Sequence, residues 1–178
     1  MEAETAYAGR LRAVRPATLP AAFERLFLRE YRRVAGIAYR VLGDRDEAED
    51  VAQDVFLAFY RRHDPAASYA GPWLHRAAAH LALNATRGGK RRERRETVVG
   101  READRAVDPE EEAIVAEQRA EVRAALARLP RDSASLLALR YSGLSYVEVA
   151  QALDIKPDQV GTRLRRAQAA FKKEVLHG

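Results

Sequence analysis

Residues 144–171, LSYVEVAQALDIKPDQVGTRLRRAQAAF, decide the fold because they predict two helices separated by a tight break. Ser145, with Glu148 three residues later, forms a capping box that starts the first helix, and Pro157 suits the start of the second. Asp154 stands at the break, where few residues other than Gly tolerate a left-handed backbone. The stretch therefore predicts a helix-turn-helix. Its buried positions hold apolar or small residues: Val149, Ala150, Leu153, Ile155, Val160 and Leu164.

The second of these helices is strongly basic. Between residues 156 and 173 there are six Lys and Arg residues and one Asp. Such a helix suits DNA, because phosphates attract its charge while its side chains reach base edges in the major groove. Two antiparallel helices with a solvated basic face would have the same composition. We favour DNA binding because capping box, break and charge coincide.

Helical spacing of apolar residues continues through most of the chain, and no segment alternates as a strand would. Capping residues and breakers place helices at about 22–42, 45–62, 72–86, 109–129, 132–141, 146–153 and 157–176. In the fourth helix we expect an apolar inner face of Ile114, Val115, Val122, Leu126 and Leu129. We predict an all-α fold of two small helical domains joined by a charged linker. The parts are a flexible arm (1–20), a first domain (21–87), the linker (88–108) and the helix-turn-helix domain (109–178).

Composition narrows the function classes. The 178 residues include 31 Lys and Arg and 26 Asp and Glu, a formal net charge of +5, and no Cys. The absence of Cys excludes disulfides, thiolate catalysis and cysteine-based zinc sites. The first residues lack the apolar core of a secretory signal, and the longest apolar run is Val55–Tyr60. We expect a cytoplasmic protein without membrane insertion. Nothing in the sequence predicts a catalytic residue, a metal site or a cofactor.

Two further charged segments stand out. Residues 44–54 hold six acidic residues and one basic residue. They could be Mg²⁺ ligands of a phosphate-handling enzyme, a solvated face or a protein-binding face, and we prefer the last. Residues 87–95 hold six basic residues and one acidic residue, directly after the helix that begins near Tyr69 and Trp73. This combination suits single-stranded nucleic acid, although Trp73 could instead be a core residue and the basic run a tail.

Three segments together resemble a bacterial RNA polymerase sigma factor of the extracytoplasmic-function (ECF) type. DRDEAEDVAQDVFLAFYRR resembles the helix that binds core polymerase, and SYAGPWLHRAAAHLALNATRGGKRRER resembles the promoter-opening loop and helix. ALARLPRDSASLLALRYSGLSYVEVAQALDIKPDQVGTRLRRAQAAF resembles the domain that recognises the upstream promoter element. The resemblance implies a sigma factor that directs promoter recognition and melting. A stand-alone helix-turn-helix regulator is the alternative.

The resemblance also implies roles for individual residues. The residues implied to contact the β′ clamp helices of core polymerase are Glu47, Asp50, Gln53 and Asp54. Those implied to bind the −10 element are Tyr69, Trp73, Arg76, His80, Asn84, Arg87, Lys90 and Arg91. Those implied to bind the −35 element are Lys156, Gln159, Thr162, Arg163 and Arg166. The implied partners are core polymerase, including its β flap, promoter DNA and an anti-sigma factor.

Overall fold

The computed structural model describes residues 19–88 and 109–177, and within them every regular element is an α-helix. The helices are α1 (Ala21–Leu42), α2 (Arg45–Arg62), α3 (Ala70–Arg87), α4 (Pro109–Arg128), α5 (Arg131–Tyr141), α6 (Tyr146–Leu153) and α7 (Pro157–His177). The all-α prediction is confirmed. Most of the predicted arm and linker, including Lys90 and Arg91, lies outside the described residues.

Helices α1, α2 and α3 pack against one another around a common apolar core. Gly43 ends α1 in a left-handed conformation (φ 68°), and its N–H bonds to the Tyr39 carbonyl. Asp44 follows as the N-cap of α2 and accepts the Glu47 N–H through its carboxylate. The abrupt turn between the two helices therefore depends on a glycine C-cap followed at once by a side-chain N-cap. The largest fully buried side chains here are Leu26, Val34, Ile37, Val41, Val55, Phe59, Leu74 and Leu83.

Helix α3 begins at Ala70, two residues before the predicted start at Pro72. Pro72 lies in the first turn, where N–H groups have no carbonyl partner within the helix, so its missing donor costs nothing there. A helix with proline in its first turn can begin at the proline or one or two residues before it. The prediction placed the start at the proline itself.

The C-terminal helices form the predicted helix-turn-helix. Ser145 and Glu148 make both bonds of the capping box, and Asp154 adopts a left-handed conformation (φ 54°) at the break between α6 and α7. Leu139, Leu144, Val149 and Val160 are fully buried beneath the motif. A non-Gly left-handed residue is uncommon, which makes Asp154 a specific confirmation of the predicted turn.

Helix α4 departs from the prediction as far as Val122. Leu126 and Leu129 are buried, as expected, whereas Ile114, Val115 and Val122 are 55%, 41% and 40% exposed. The apolar spacing was correct for a helix, but its described neighbours bury apolar side chains only beyond Val122. The inner face predicted at Ile114, Val115 and Val122 is therefore wrong.

The two groups of helices are in contact. Helix α3 packs against both α5 and α6, and α1 packs against α4 and α5, so that one hydrophobic core runs through both groups. None of the helices in the described ranges combines the length and apolar character of a membrane span.

Candidate protein-binding and nucleic-acid-binding surfaces

The residues predicted to contact core polymerase lie on the outer face of α2. Asp50, Gln53 and Asp54 are exposed, and Glu47 is half-buried one turn earlier. The opposite face of the helix buries Val51, Val55, Phe56 and Phe59 in the core of the N-terminal bundle. The packing partners of α2 are α1 and α3, so the acidic face is turned to solvent. This arrangement suits a basic protein surface.

The end of α2 and the start of α3 form an aromatic cluster of Phe59, His63, Tyr69 and Trp73. The Trp73 ring lies 4.6 Å from the His63 ring and 5.4 Å from the Phe59 ring, between centroids. The His63 ring stacks on Phe59 at 5.1 Å and meets the edge of Tyr69 at 5.9 Å. Phe59 is buried, Trp73 and His63 are half-buried, and Tyr69 is 48% exposed. Packing within the cluster therefore fixes the positions of Tyr69 and Trp73, whose rings remain partly exposed.

His63 is the member that sequence reasoning did not assign to this site. Its position four residues after Phe59 predicts a shared helix face, which was the available signal. Its contacts with Tyr69 and Trp73 depend on the turn that starts at Asp64 and reverses the chain. Asp64 accepts the Ala66 N–H through its side chain and the Ala67 N–H through its carbonyl.

The predicted −10 residues continue along α3 from this cluster. Their numbers increase by three or four, which places them in one stripe along the helix. Arg76, Asn84 and Arg87 are exposed and His80 is half-buried. Burial lowers the pKa of His80, Arg76 and Arg131 lower it further, and Asp132 opposes them. We call Tyr69, Trp73, Arg76, His80, Asn84 and Arg87 the α3 stripe.

The C-terminal helices engage the far end of the α3 stripe. The Arg131 guanidinium donates to the Asn84 side-chain oxygen. Arg87 donates from Nη2 to the Leu129 carbonyl at 2.7 Å and from Nε to the Ala127 carbonyl at 3.2 Å. Asn84 and Arg87, two of the predicted −10 residues, therefore hydrogen-bond to the C-terminal group of helices.

A buried hydrogen bond between a histidine and a carboxylate lies between α1 and α3. The His75 Nε2 is 2.9 Å from Glu30 Oε2, and only about 5% of His75 is exposed. Burial lowers the pKa of His75 despite the nearby carboxylate. Burial alone would raise the pKa of Glu30, but hydrogen bonds from Arg29 and His75 outweigh it and lower the value. The pair satisfies two polar groups inside the bundle and does not touch the predicted sites.

The predicted −35 residues lie together at the start of α7, within its first three turns. Gln159, Thr162, Arg163 and Arg166 share one helix face, all of them are exposed, and Lys156 immediately precedes the helix. Arg163 donates to the Gln159 side-chain oxygen at 3.2 Å. Because the face carries positive charge and is exposed, it can lie in a DNA groove without rearrangement of α7.

Within the described residues, no group of three or more His, Asp and Glu side chains is placed to hold a metal ion. The surfaces described here consist instead of charged, amide and aromatic side chains. Their chemistry suits contact with macromolecules: carboxylates for a basic protein surface, and cations with aromatic rings for nucleic acid.

Comparisons with known proteins match both groups of helices. The family model of sigma-70 region 2 matches residues 26–92, and that of sigma-70 region 4 matches residues 119–170. The RNA polymerase sigma-H factor of Pseudomonas aeruginosa is 31% identical over 85% of this chain and 85% of its own length. The ECF RNA polymerase sigma-E factor of Haemophilus influenzae is 30% identical, covering 86% of this chain and 87% of its own.

Other similar proteins are longer than this chain. The probable RNA polymerase sigma factor RfaY of Xanthomonas campestris is 31% identical over 80% of this chain, which corresponds to only 38% of RfaY. Among solved structures, CnrH in complex with the cytosolic domain of CnrY matches with a TM-score of 0.52 and 22% identity over 85% of both chains. The likeness to CnrH supports the fold.

Proposed function

We propose that this chain, which belongs to the extracytoplasmic-function sigma factors of RNA polymerase, binds core polymerase, recognises a two-part promoter and helps to separate its strands. The observation that carries the proposal is the coexistence of an exposed acidic face on α2 with a basic reading face on α7. A DNA-binding protein that acts alone has no evident use for the acidic face, since DNA repels negative charge.

Core polymerase would bind the α2 face. Asp50 and Asp54 are one helical turn apart, with Gln53 beside them, so their side chains can meet a single basic helix of the β′ clamp. The buried residues on the opposite face of α2 hold this surface rigidly, and the cost of ordering it on binding is therefore small. An anti-sigma factor is a further expected partner, on the sequence resemblance alone.

Strand separation at the −10 element would use the aromatic cluster and the α3 stripe. A base that leaves the duplex loses its stacking, which costs a few kcal/mol. Tyr69 and Trp73 offer replacement stacking surfaces, while Arg76 and Arg87 can neutralise neighbouring phosphates. The site thereby favours separated strands over paired ones.

The −35 element would be read by α7. Arg163 and Arg166 can donate two parallel hydrogen bonds to guanine or bind phosphates, and Gln159 can pair with adenine in the major groove. Lys156, ahead of the helix, is placed for a phosphate contact that sets the depth and orientation of the helix.

The test is initiation by a reconstituted polymerase. Core polymerase is incubated with the full chain and fragmented bacterial genomic DNA, and the 5′ ends of the transcripts are sequenced. A sigma factor predicts new start sites that share two sequence elements and are absent with core alone. Stable duplex binding without any association with core would instead identify a stand-alone helix-turn-helix regulator.

A further inference from the structure

An apolar cleft opens where the C-terminal end of α1 meets α4, α5 and α7, and we call it the α4 cleft. Its volume is about 400 Å³, which lies within the range of small-molecule sites in proteins. Val122 of α4, which the core leaves exposed, is one of its walls. The apolar side chains that line the cleft are Val41, Val122, Leu126, Leu137 and Phe171.

A second groove continues from the α4 cleft along α4 as far as Val115 and has a volume of about 390 Å³. The groove and the cleft share Arg40, Val41 and Val122, so they form one elongated depression. The exposed apolar side of α4 therefore lines a continuous channel in the surface. Its shape suits an extended chain better than a compact ring.

The charges around this depression have one sign. Within the residues that the structure describes, every charged side chain that lines the cleft or the groove is an arginine: Arg40, Arg119 or Arg123. Arg123 donates to the Leu42 carbonyl at 3.1 Å, whereas Arg40 is exposed where the cleft and the groove join. A guanidinium beside apolar walls attracts a ligand that has both an apolar body and an anionic group.

A second hydrogen-bond donor lies in the same cleft. Gln168 Nε2 donates to the Tyr141 hydroxyl oxygen at 3.0 Å, and both side chains line the cleft. A phenol oxygen that accepts a hydrogen bond can still donate its own O–H. Arg40 and Tyr141 can therefore both donate to one carboxylate.

We propose that the α4 cleft binds an apolar carboxylate, a molecule with one anionic head and an extended alkyl chain. Arg40 and Tyr141 bind the carboxylate. The alkyl chain lies along Val122, Leu126 and Phe171, where it removes apolar surface from water. This inference goes beyond the proposed function, because the site includes none of the residues assigned to polymerase or DNA.

The site combines residues from both groups of helices. Val41 belongs to the N-terminal bundle, whereas Leu137 and Phe171 belong to the C-terminal group. A ligand that binds only the complete cleft stabilises the folded chain by mass action. Saturating apolar carboxylate should therefore raise the midpoint of thermal unfolding.

Isothermal titration calorimetry of the full chain tests the head group, with decanoate and decanol as a charged and a neutral ligand of equal chain length. Decanoate should bind one site with a Kd of about 100 µM or tighter. Arg40→Gln should weaken decanoate binding about threefold or more and leave decanol binding unchanged. The matched control is Arg32→Gln, an exposed arginine on the same helix that lines neither the cleft nor the groove.

A second pair of variants tests the apolar part. Val122→Trp fills the cleft, and it should weaken the binding of both ligands about tenfold or more. Val147→Trp places the same side chain at another exposed valine, on α6, and should change neither affinity. Circular dichroism shows whether each variant is folded.

Methyl NMR of the unaltered chain locates the ligand without any substitution. Decanoate should shift the methyl signals of Val41, Leu126 and Leu137 and leave those of Val55 and Leu74, in the core of the N-terminal bundle, in place.

Decanoate binding weaker than about 1 mM would overturn the site, and so would methyl shifts that are absent from the cleft. Equal losses of decanoate and decanol affinity in the Arg40→Gln variant would overturn the assignment of a carboxylate. These measurements need neither polymerase nor DNA, so their failure would leave the proposed function standing, and a failure to direct initiation would leave the site standing.

Discussion

The residues predicted to bind partners are arranged similarly on the outer faces of α2 and α3, but the two faces have different surroundings. Both stripes repeat every three or four residues, and both lie opposite a buried apolar face. The acidic face of α2 is turned to solvent, whereas Asn84 and Arg87 on α3 are hydrogen-bonded to the C-terminal helices. The comparison shows that helical periodicity identifies residues that act together without showing which of them are available.

The largest expected effect is on the open face. Asp50→Arg with Asp54→Arg places two cations where the basic clamp should bind, and we expect at least a 100-fold loss of affinity for core polymerase, about 2.7 kcal/mol. The control is Glu117→Arg with Glu121→Arg on α4, which changes the same charge at the same spacing on another exposed helix. Titration of labelled protein with core measures both. Equal affinity of the two variants would remove α2 from the polymerase interface.

The next effect concerns the end of the α3 stripe that lies in the aromatic cluster. Tyr69→Ala removes a stacking surface worth about 1–3 kcal/mol per base, so open-complex formation should fall about 5- to 150-fold while core binding stays constant. Tyr39→Ala on α1 is the control, because Tyr39 is similarly exposed at 43% against 48% for Tyr69. Permanganate reactivity of promoter thymines reports the melted DNA. A full melting signal in the Tyr69 variant would argue against base capture by the aromatic cluster.

A smaller effect is expected on α7, whose reading face is exposed as α2 is. Arg163→Ala should weaken binding to a −35 duplex about tenfold, consistent with about 1–3 kcal/mol for a good base contact. Lys172→Ala, farther along the same helix, should have much less effect. Fluorescence anisotropy with duplex DNA measures this difference. Equal losses in the two variants would show that α7 attracts DNA by charge alone and does not read the −35 element through Arg163.

The smallest effect concerns His80 and depends on pH. Burial, with Arg76 and Arg131 nearby and only Asp132 opposing, lowers the pKa of His80. The unfolded chain therefore binds the proton more readily, and stability is lost as the pH falls below the ordinary histidine pKa of about 6.5. The free energy of unfolding, measured by urea denaturation, should be lower at pH 5.5 than at pH 7.5.

His80→Gln should reduce that loss of stability without abolishing it. His75 also has a lowered pKa, because burial outweighs the nearby Glu30 carboxylate, so it destabilises the folded chain in acid in the same direction. An unchanged loss in the His80→Gln variant would show that His80 does not contribute to the pH dependence.

Local features of the structure could be predicted from the sequence. The capping box at Ser145 and Glu148, the left-handed Asp154 and the shared face of Asp50 and Asp54 all depend on residues within one or two helical turns. Features that depend on contacts between distant parts of the chain could not be predicted. The contact of His63 with Trp73 requires the turn after α2, and the exposure of Val115 depends on which helices reach α4.

The contacts between the two groups of helices belong to the second class. Asn84 and Arg131 are 47 residues apart and Arg33 and Glu148 are 115 apart, so no local pattern relates them. The resemblance to sigma factors assigned Asn84 and Arg87 to DNA from their positions in a motif. It contained no information about what these side chains contact when DNA is absent.

Carboxyl-group labelling of the full chain, with and without core polymerase, tests the central claim most directly. A carbodiimide-activated amine modifies accessible carboxylates, and mass spectrometry reports each site. The account predicts that core binding strongly reduces labelling of Asp50 and Asp54 and leaves Glu117 and Glu121 unchanged. A stable complex in which Asp50 and Asp54 remain as reactive as in the free chain would contradict it.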